Sequence, residues 1–391
     1  LIVEGSIVKY KHFSKTNVSR RHILGAAALG MAAFPMINKG YFAASAKSPR
    51  LYSKRVMDLM ESSLVIDMLG SLKLDTRDGF YERPLSPEAA EDFRASGINC
   101  LHLASGIGGP DATAKVADYL ATQQNFAGRH SDLFSIVDKA SDIPAAKRAG
   151  KIALIMGLQN SEHFSRLEDV KRFYGLGQRV SQLTYNSQNL IGSGATDRVD
   201  GGVSDFGATI IAEMNRVGML VDVSHCGDRT TLDAISLSET PIAITHSNCR
   251  ALNTHPRTKT DEAIRACAAK GGVMGVTGVR MFVSAKEPTT LGNIVDHIDH
   301  VVRLVGIDHV GIGSDIDMYG YDDMSPAALA EARAYYKSYA IREKADVEGF
   351  DNPLKIFNLT EELVRRGYSN EDIGKILGKN FQRLLQTVWG G

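Results

Sequence analysis

Two histidines stand where apolar, β-branched runs should stop. His225 closes Gly218-Met-Leu-Val-Asp-Val-Ser-His225, and His246 closes Pro241-Ile-Ala-Ile-Thr-His246. Neutral imidazoles on successive strand ends, one βα unit apart, let a parallel barrel aim two nitrogens at one divalent cation. Asp315 ends a third run, Gly311-Ile-Gly-Ser-Asp315-Ile-Asp317. Two imidazoles and a carboxylate suit a transition metal. Alternatively Asp315 stays off the metal and takes a proton from a coordinated water. Gln159 and Tyr185 end two further runs, and Leu69 and Ser71 follow the first. A single strand-end histidine is more often a hydrogen-bonded structural residue, Asp315 alone could cap a helix, and Tyr185 alone could be packing. The combination favours a site.

For these residues to meet, their strands must be parallel and converge. The spacing predicts strands near 63–69, 98–103, 152–158, 179–185, 218–224, 241–246, 272–278 and 308–314, with helical patterns such as Asp205–Val217, Arg229–Ser238, Asp261–Lys270 and Leu291–Gly306 between them. Eight β-then-α units argue for an α/β fold, a single-domain (β/α)8 TIM barrel whose strand C-termini share one mouth. A doubly wound open sheet competes, but Met68-Leu69-Gly70-Ser71 is not the glycine-rich turn it would carry. Residues 325–344, opened by Ser325-Pro326 and rich in Ala, read as a helical insertion after the eighth strand that covers the site. Helices at 353–366 and 370–387 are expected to complete the outer ring.

The formal net charge of zero conceals an asymmetry: residues 1–50 are +7 and the remainder −7. A mildly acidic body gives no electrostatic reason to bind nucleic acid or an anionic membrane. The basic segment carries Ser19-Arg20-Arg21-His22-Ile23-Leu24, a small apolar run from Gly25 to Ile37, and an Ala44-Ser45-Ala46 cleavage candidate. It reads as a twin-arginine export signal over 1–46, with the barrel at 47–391 and a periplasmic or otherwise extracytoplasmic destination. The apolar run is shorter than the roughly 20 residues of a membrane span, so no stable span is expected; a short anchor helix is the competing reading. The missing initial Met and the residues ahead of the arginines suggest an over-extended or clipped start. The four cysteines, Cys100, Cys226, Cys249 and Cys267, form no Cys-x-x-Cys pair and read as buried free thiols.

Val221-Asp-Val-Ser-His225, Ala243-Ile-Thr-His246-Ser-Asn and His309-Val-Gly-Ile-Gly-Ser-Asp315, with Ser204-Asp-Phe-Gly, Glu213-Met-Asn and Gly378-Lys-Asn-Phe, resemble the signatures of the membrane (renal) dipeptidases of the amidohydrolase superfamily. The resemblance spans nearly all of 60–390. It implies a barrel with two zinc ions that cleaves dipeptides, including those with a D-configured or unsaturated C-terminal residue. By position, His225 and His246 match the ligands of the second zinc, and Asp315 matches the proton-handling aspartate. Arg257 matches the arginine that grips the dipeptide carboxylate, a task suited to a guanidinium fork; the plain alternative is a surface arginine.

The chain also departs from that pattern. Leu69 and Ser71 stand where the family carries the His-x-Asp of the first zinc, Gln159 replaces the bridging glutamate, and Tyr185 replaces a substrate-contacting histidine. Leu69 offers no lone pair and a neutral amide bridges two cations poorly, so the expectation is one retained zinc. It would sit on His225 and His246, with Gln159 in reach, Arg257 and Tyr185 on the substrate, and a metal-activated water cleaving a dipeptide or related amide. A peptide-metabolite tailoring enzyme and a non-catalytic peptide binder are the alternatives, and a homodimer is compatible with any of them. Among lesser candidates, Glu162-His163 reads as a solvated loop pair, His102 as a core histidine, Asp67 as a structural hydrogen-bonding group, and Asp317 as a residue that orients a loop. His297, His300 and His309 fall at helix or loop spacing with no partner set.

Overall fold

Eight short parallel strands close on themselves in the computed structural model, which describes residues 40–45, 48, 50–336 and 339–390. They are β1 Ile66–Asp67, β2 Cys100–Ser105, β3 Ile152–Leu158, β4 Gln178–Gln182, β5 Leu220–Asp222, β6 Ala243–Ser247, β7 Val273–Val276 and β8 Val310–Ile312. Pairing runs in sequence order, from Ile66 beside Cys100 through Asp222 beside Ala243 to Gly275 beside Gly311. Ile312 pairs with Asp67 and shuts the ring. The fold is therefore a (β/α)8 barrel, as the alternation of patterns predicts. From Phe42 onward the chain packs as one unit. The twin arginines and apolar run of the expected export signal lie outside the described residues. Among the described residues no helix is long and apolar enough to cross a membrane.

The helices form where caps and periodicity agree. Asp205–Val217 starts on Ser204, whose hydroxyl accepts from the Gly207 amide, and stops at Gly218 in the left-handed region at φ +80°. Between β2 and β3 the chain adds Ala112–Arg129, a three-residue strand Phe134–Ile136 and Asp142–Arg148. That extra strand pairs with the first half of β3, Phe134 beside Ile152, while β4 takes the second half. Three residues are too few for a period, so the sequence carries no clear sign of it.

The last helix departs from expectation. Asn380–Trp389 does not join the outer ring; it crosses the barrel floor. Phe381, Leu384, Leu385 and Val388 make one apolar cluster with Ile66, Ala153, Val180, Leu220, Ala243 and Val273. Asn380 Nδ2 donates to the Val310 carbonyl at 2.8 Å, and Arg383 Nη1 to that of Gly271 at 3.1 Å, where β8 and β7 begin. A side chain on Gly311 would come within 2.5 Å of the Phe381 ring, so only glycine lets the plug seat. At the opposite mouth the insertion forms the helix Pro326–Tyr335, capped by the Ser325 hydroxyl. Leu329, Ala332, Tyr336, Tyr339 and Ile341 line the cavity beneath it, so the segment roofs the C-terminal face.

Candidate active site

A cavity of about 530 Å³ opens at the strand C-termini, within the range of sites that enclose small molecules. His225, Asp315, Gln159, Tyr185 and Ser71 line it, together with the insertion. His246 and Arg257 do not line it; they are 0% and 1% exposed, just outside the cavity wall.

His225 and His246 are brought together. Their Nε2 atoms stand 2.9 Å apart and their ring centroids 5.0 Å. The network around each ring favours one nitrogen as the carrier of the proton. Asn186 Oδ1 lies 2.7 Å from His225 Nδ1 and also accepts the Tyr339 hydroxyl at 2.6 Å, so His225 donates through Nδ1. His246 Nδ1 lies 2.8 Å from Thr245 Oγ1, whose own proton goes to Asp222 Oδ2 at 2.6 Å; His246 therefore donates through Nδ1 as well. Asp222 is held in turn by the Ser224 and Thr245 amides and by the Ser224 hydroxyl at 2.6 Å. Burial, reinforced by the Arg257 charge, pushes both imidazoles well below their ordinary pKa, so both are neutral at pH 7. Each ring thus points a bare lone pair at the other.

With both protons on Nδ1, that arrangement is favourable only with a cation between the two nitrogens; with one proton on Nε2 it is an N–H···N hydrogen bond at 2.9 Å. Two imidazoles on one tetrahedral zinc, at about 2.0–2.1 Å each, stand roughly 3.3–3.4 Å apart at their nitrogens, so the 2.9 Å pair would open by a few tenths of an ångström to take the ion. The donor pair fits a metal, and each imidazole has the hydrogen-bonded support that metal-binding histidines carry. It is a pair and not a larger set: among the described residues no three His, Cys, Asp or Glu side chains gather to hold an ion. Asp315 therefore faces the cavity without joining the histidines in a three-ligand cluster.

Asp315 sits on left-handed backbone at φ +62°, with its amide donating to the Leu69 carbonyl at 2.7 Å. Aspartate tolerates this conformation better than most residues, and such outliers concentrate at functional sites. Burial pushes its carboxyl up to about 7, Arg257 pulls against that, and buried Asp67 adds to it. Gln159 Nε2 donates to the Ala104 carbonyl at 3.2 Å, and the residue lines the cavity. Tyr185 lies beyond β4, not within it, and stacks on His225 at 4.3 Å. Arg257 is no surface residue: one nitrogen, Nη1, donates to the Ser224 carbonyl, its guanidinium lies 5.4 Å from the Phe282 ring centre, and Nε and Nη2 have no partner.

The lesser candidates divide. Asp67 is buried and accepts from Ser314 Oγ at 2.5 Å, and Asp317 orients loops through the amides of Leu74, Tyr319 and Gly320. His102 is a core residue, bonded through Nδ1 to the Met68 carbonyl at 2.7 Å. His163, expected in a solvated loop, is fully buried and bonds Gln178 at 3.0 Å, because the loop folds inward against Phe164 and Phe173. His297 accepts from the Cys249 amide at 3.0 Å and bonds the Val283 carbonyl at 2.9 Å. All four cysteines are buried and free. The sequence reading missed Asn186, Thr245, Tyr336 and Tyr339. The only hints were a polar residue beside Tyr185 and the run Tyr335-Tyr-Lys-Ser-Tyr339.

The family model of the membrane dipeptidases, Peptidase family M19, matches residues 54–336 and 343–389. The chain belongs to the membrane dipeptidase family. Tyr339 falls in the short stretch between the two matched segments of this family member. The chain is 32% identical over 263 residues to the dipeptidase verJ of Clonostachys rogersoniana, covering 66% of this chain and 61% of that protein. It is 30% identical over 264 residues to the dipeptidase tcpJ of Claviceps purpurea, 66% and 56% of the two chains. The matched part thus spans about three fifths of the length of these curated relatives. Among solved structures, an amidohydrolase from Pseudomonas aeruginosa is 32% identical with a TM-score of 0.74, covering 86% of this chain and 99% of that one. A metallopeptidase from Rhodobacter sphaeroides, liganded with a phosphinate mimic of L-Ala-D-Ala, shares the fold at 18% identity and a TM-score of 0.68.

Proposed function

We propose that this protein is an exported, metal-dependent dipeptidase-like hydrolase that has kept one metal, zinc, and given up the other. The observation that carries the reading is the 2.9 Å approach of the two Nε2 atoms, in rings whose Nδ1 atoms each have an oxygen acceptor beside them. His225 and His246 would hold the ion, with Gln159 on the adjacent wall. The ion would supply Lewis acidity, lowering the pKa of water and polarising an amide carbonyl. Asp315 accepts the proton: it faces the same cavity, and its raised pKa makes it a base matched to neutral pH. Arg257 stands behind the cavity wall with two unpartnered nitrogens, Nε and Nη2, which a substrate carboxylate would meet only if the wall opens, and Tyr185 forms the wall beside His225. Leu69 and Ser71 leave no donor set for a first metal, which supports the one-metal reading.

A tailoring reaction on a bulkier peptide-derived metabolite is the second reading. The lining favours it: Tyr81, Tyr119, Tyr185, Tyr321, Tyr336 and Tyr339 surround more space than two small residues need.

Elemental analysis of the purified protein before and after chelation tests the proposal. About one zinc per chain is expected, lost in His225→Ala together with hydrolysis of a dipeptide panel. One metal with no dipeptide turnover would favour the tailoring enzyme. A metal-free protein that binds dipeptides equally well would be a binding module and would end the hydrolase reading.

A further inference from the structure

His225 is held on its edge by the insertion and on its face by Tyr185, which is itself tied to the insertion. On the edge, Tyr339 donates its hydroxyl to Asn186 Oδ1 at 2.6 Å, the same oxygen that accepts His225 Nδ1, and lies 3.4 Å from Nδ1 itself. On the face, Tyr185 stacks on the imidazole at 4.3 Å and 21°, and its hydroxyl is tied to that of Tyr336 at 2.7 Å. Tyr336 and Tyr339 stack on each other at 5.0 Å and 16°, so the two arms form one aromatic unit. Both tyrosines belong to the segment that roofs the cavity, and Tyr339 lies outside the stretches shared with the family.

We infer that Tyr339 is a positioning residue which, through Asn186, fixes the His225 imidazole for metal binding, so that the donor pair is complete only with the insertion seated over the cavity. This rests on the metal-dependent reading above. The physical reason lies in the amide. The Asn186 backbone is fixed, at φ +63° with its carbonyl accepting both the amide and the hydroxyl of Thr196 at 2.8 Å. Its side chain can still turn over. With Oδ1 toward the imidazole, His225 keeps its proton on Nδ1 and presents a bare Nε2. With Nδ2 there, the proton would move to Nε2 and the donor would be lost. The Tyr339 hydroxyl, donating to Oδ1, favours the first orientation. Partners of this kind typically alter metal affinity by about 10- to 100-fold when removed.

Cobalt(II) titration of the chelated full chain, read by visible absorption, tests the inference without reference to turnover. Tyr339→Phe keeps the ring and removes the hydroxyl; its Kd for Co²⁺ should rise about tenfold with a changed absorption band and an unchanged melting temperature. Tyr335→Phe, at the last residue of the insertion's helix and 74% exposed, should bind as wild type does. Asn186→Asp should rescue Tyr339→Phe, because either carboxylate oxygen accepts from Nδ1 and no orientation has to be chosen. Wild-type affinity and spectrum in Tyr339→Phe, or no rescue by Asn186→Asp, would overturn the inference alone. A wild-type chain that binds no cobalt would overturn the metal-dependent reading and this inference with it.

Discussion

Asp315 shows how one residue's chemistry is set by what surrounds it. Burial raises its carboxyl toward 7, the Arg257 charge opposes the rise and Asp67 reinforces it. A base must be deprotonated to accept a proton, so activity should climb as pH rises through about 7 and level off above it. Asp315→Asn should remove that limb and lower kcat by about 10²- to 10⁴-fold, the usual contribution of a positioned acid–base group, with metal content unchanged. A pH–rate series on both proteins checks this; a retained limb in the variant would assign the titration elsewhere. At His225 and His246 burial and the same Arg257 charge both lower the pKa and keep the imidazoles neutral.

At the scale of elements, the strands place groups with little tolerance. A methyl on Gly157 of β3 would lie 1.9 Å from His102 Nε2 on β2, and that ring is tied to the Met68 carbonyl behind it. Gly157→Ala should therefore destabilise the barrel by about 1–3 kcal/mol, the typical cost of forcing an extra carbon into a packed interior. Thermal melts of the variant would show it as a lower Tm. An unchanged Tm would mean that the His102 ring can move aside freely. The helical insertion matters for a different reason: it supplies the aromatic roof and the two tyrosines that reach His225.

For the whole molecule, buried histidines link stability to pH. Burial lowers His163 and His297 to about 4, against about 6.5 in an unfolded chain. Between these values the unfolded chain binds more protons than the folded one. The stabilisation is complete above pH 6.5 and is lost as pH falls toward 4. By pH 5 each histidine accounts for roughly 2 kcal/mol of lost stability, from about 1.4 kcal/mol per pH unit. Tm should thus drop steeply between pH 7 and pH 5; a flat profile would show that these rings stay solvated.

The sequence by itself determined the barrel and the convergence of strand ends on one mouth. β-branched runs of strand length alternating with capped amphipathic helices have few other ways to bury their apolar faces. It also singled out His225, His246, Asp315, Gln159 and Tyr185, since a chemically capable residue at the end of each run must face that mouth. Only the tertiary structure decided what those residues can do. Proton placement on the imidazoles depends on Asn186, Thr245 and Tyr339, contacts between segments as far apart as positions 186 and 339. The pKa of Asp315 depends on burial, which no local pattern records. Arg257 and His163 read as loop residues because their neighbours are polar; folding buried both. The last helix became a floor and not part of the wall because Gly311 leaves room for Phe381, a fit that exists only once the ring has closed.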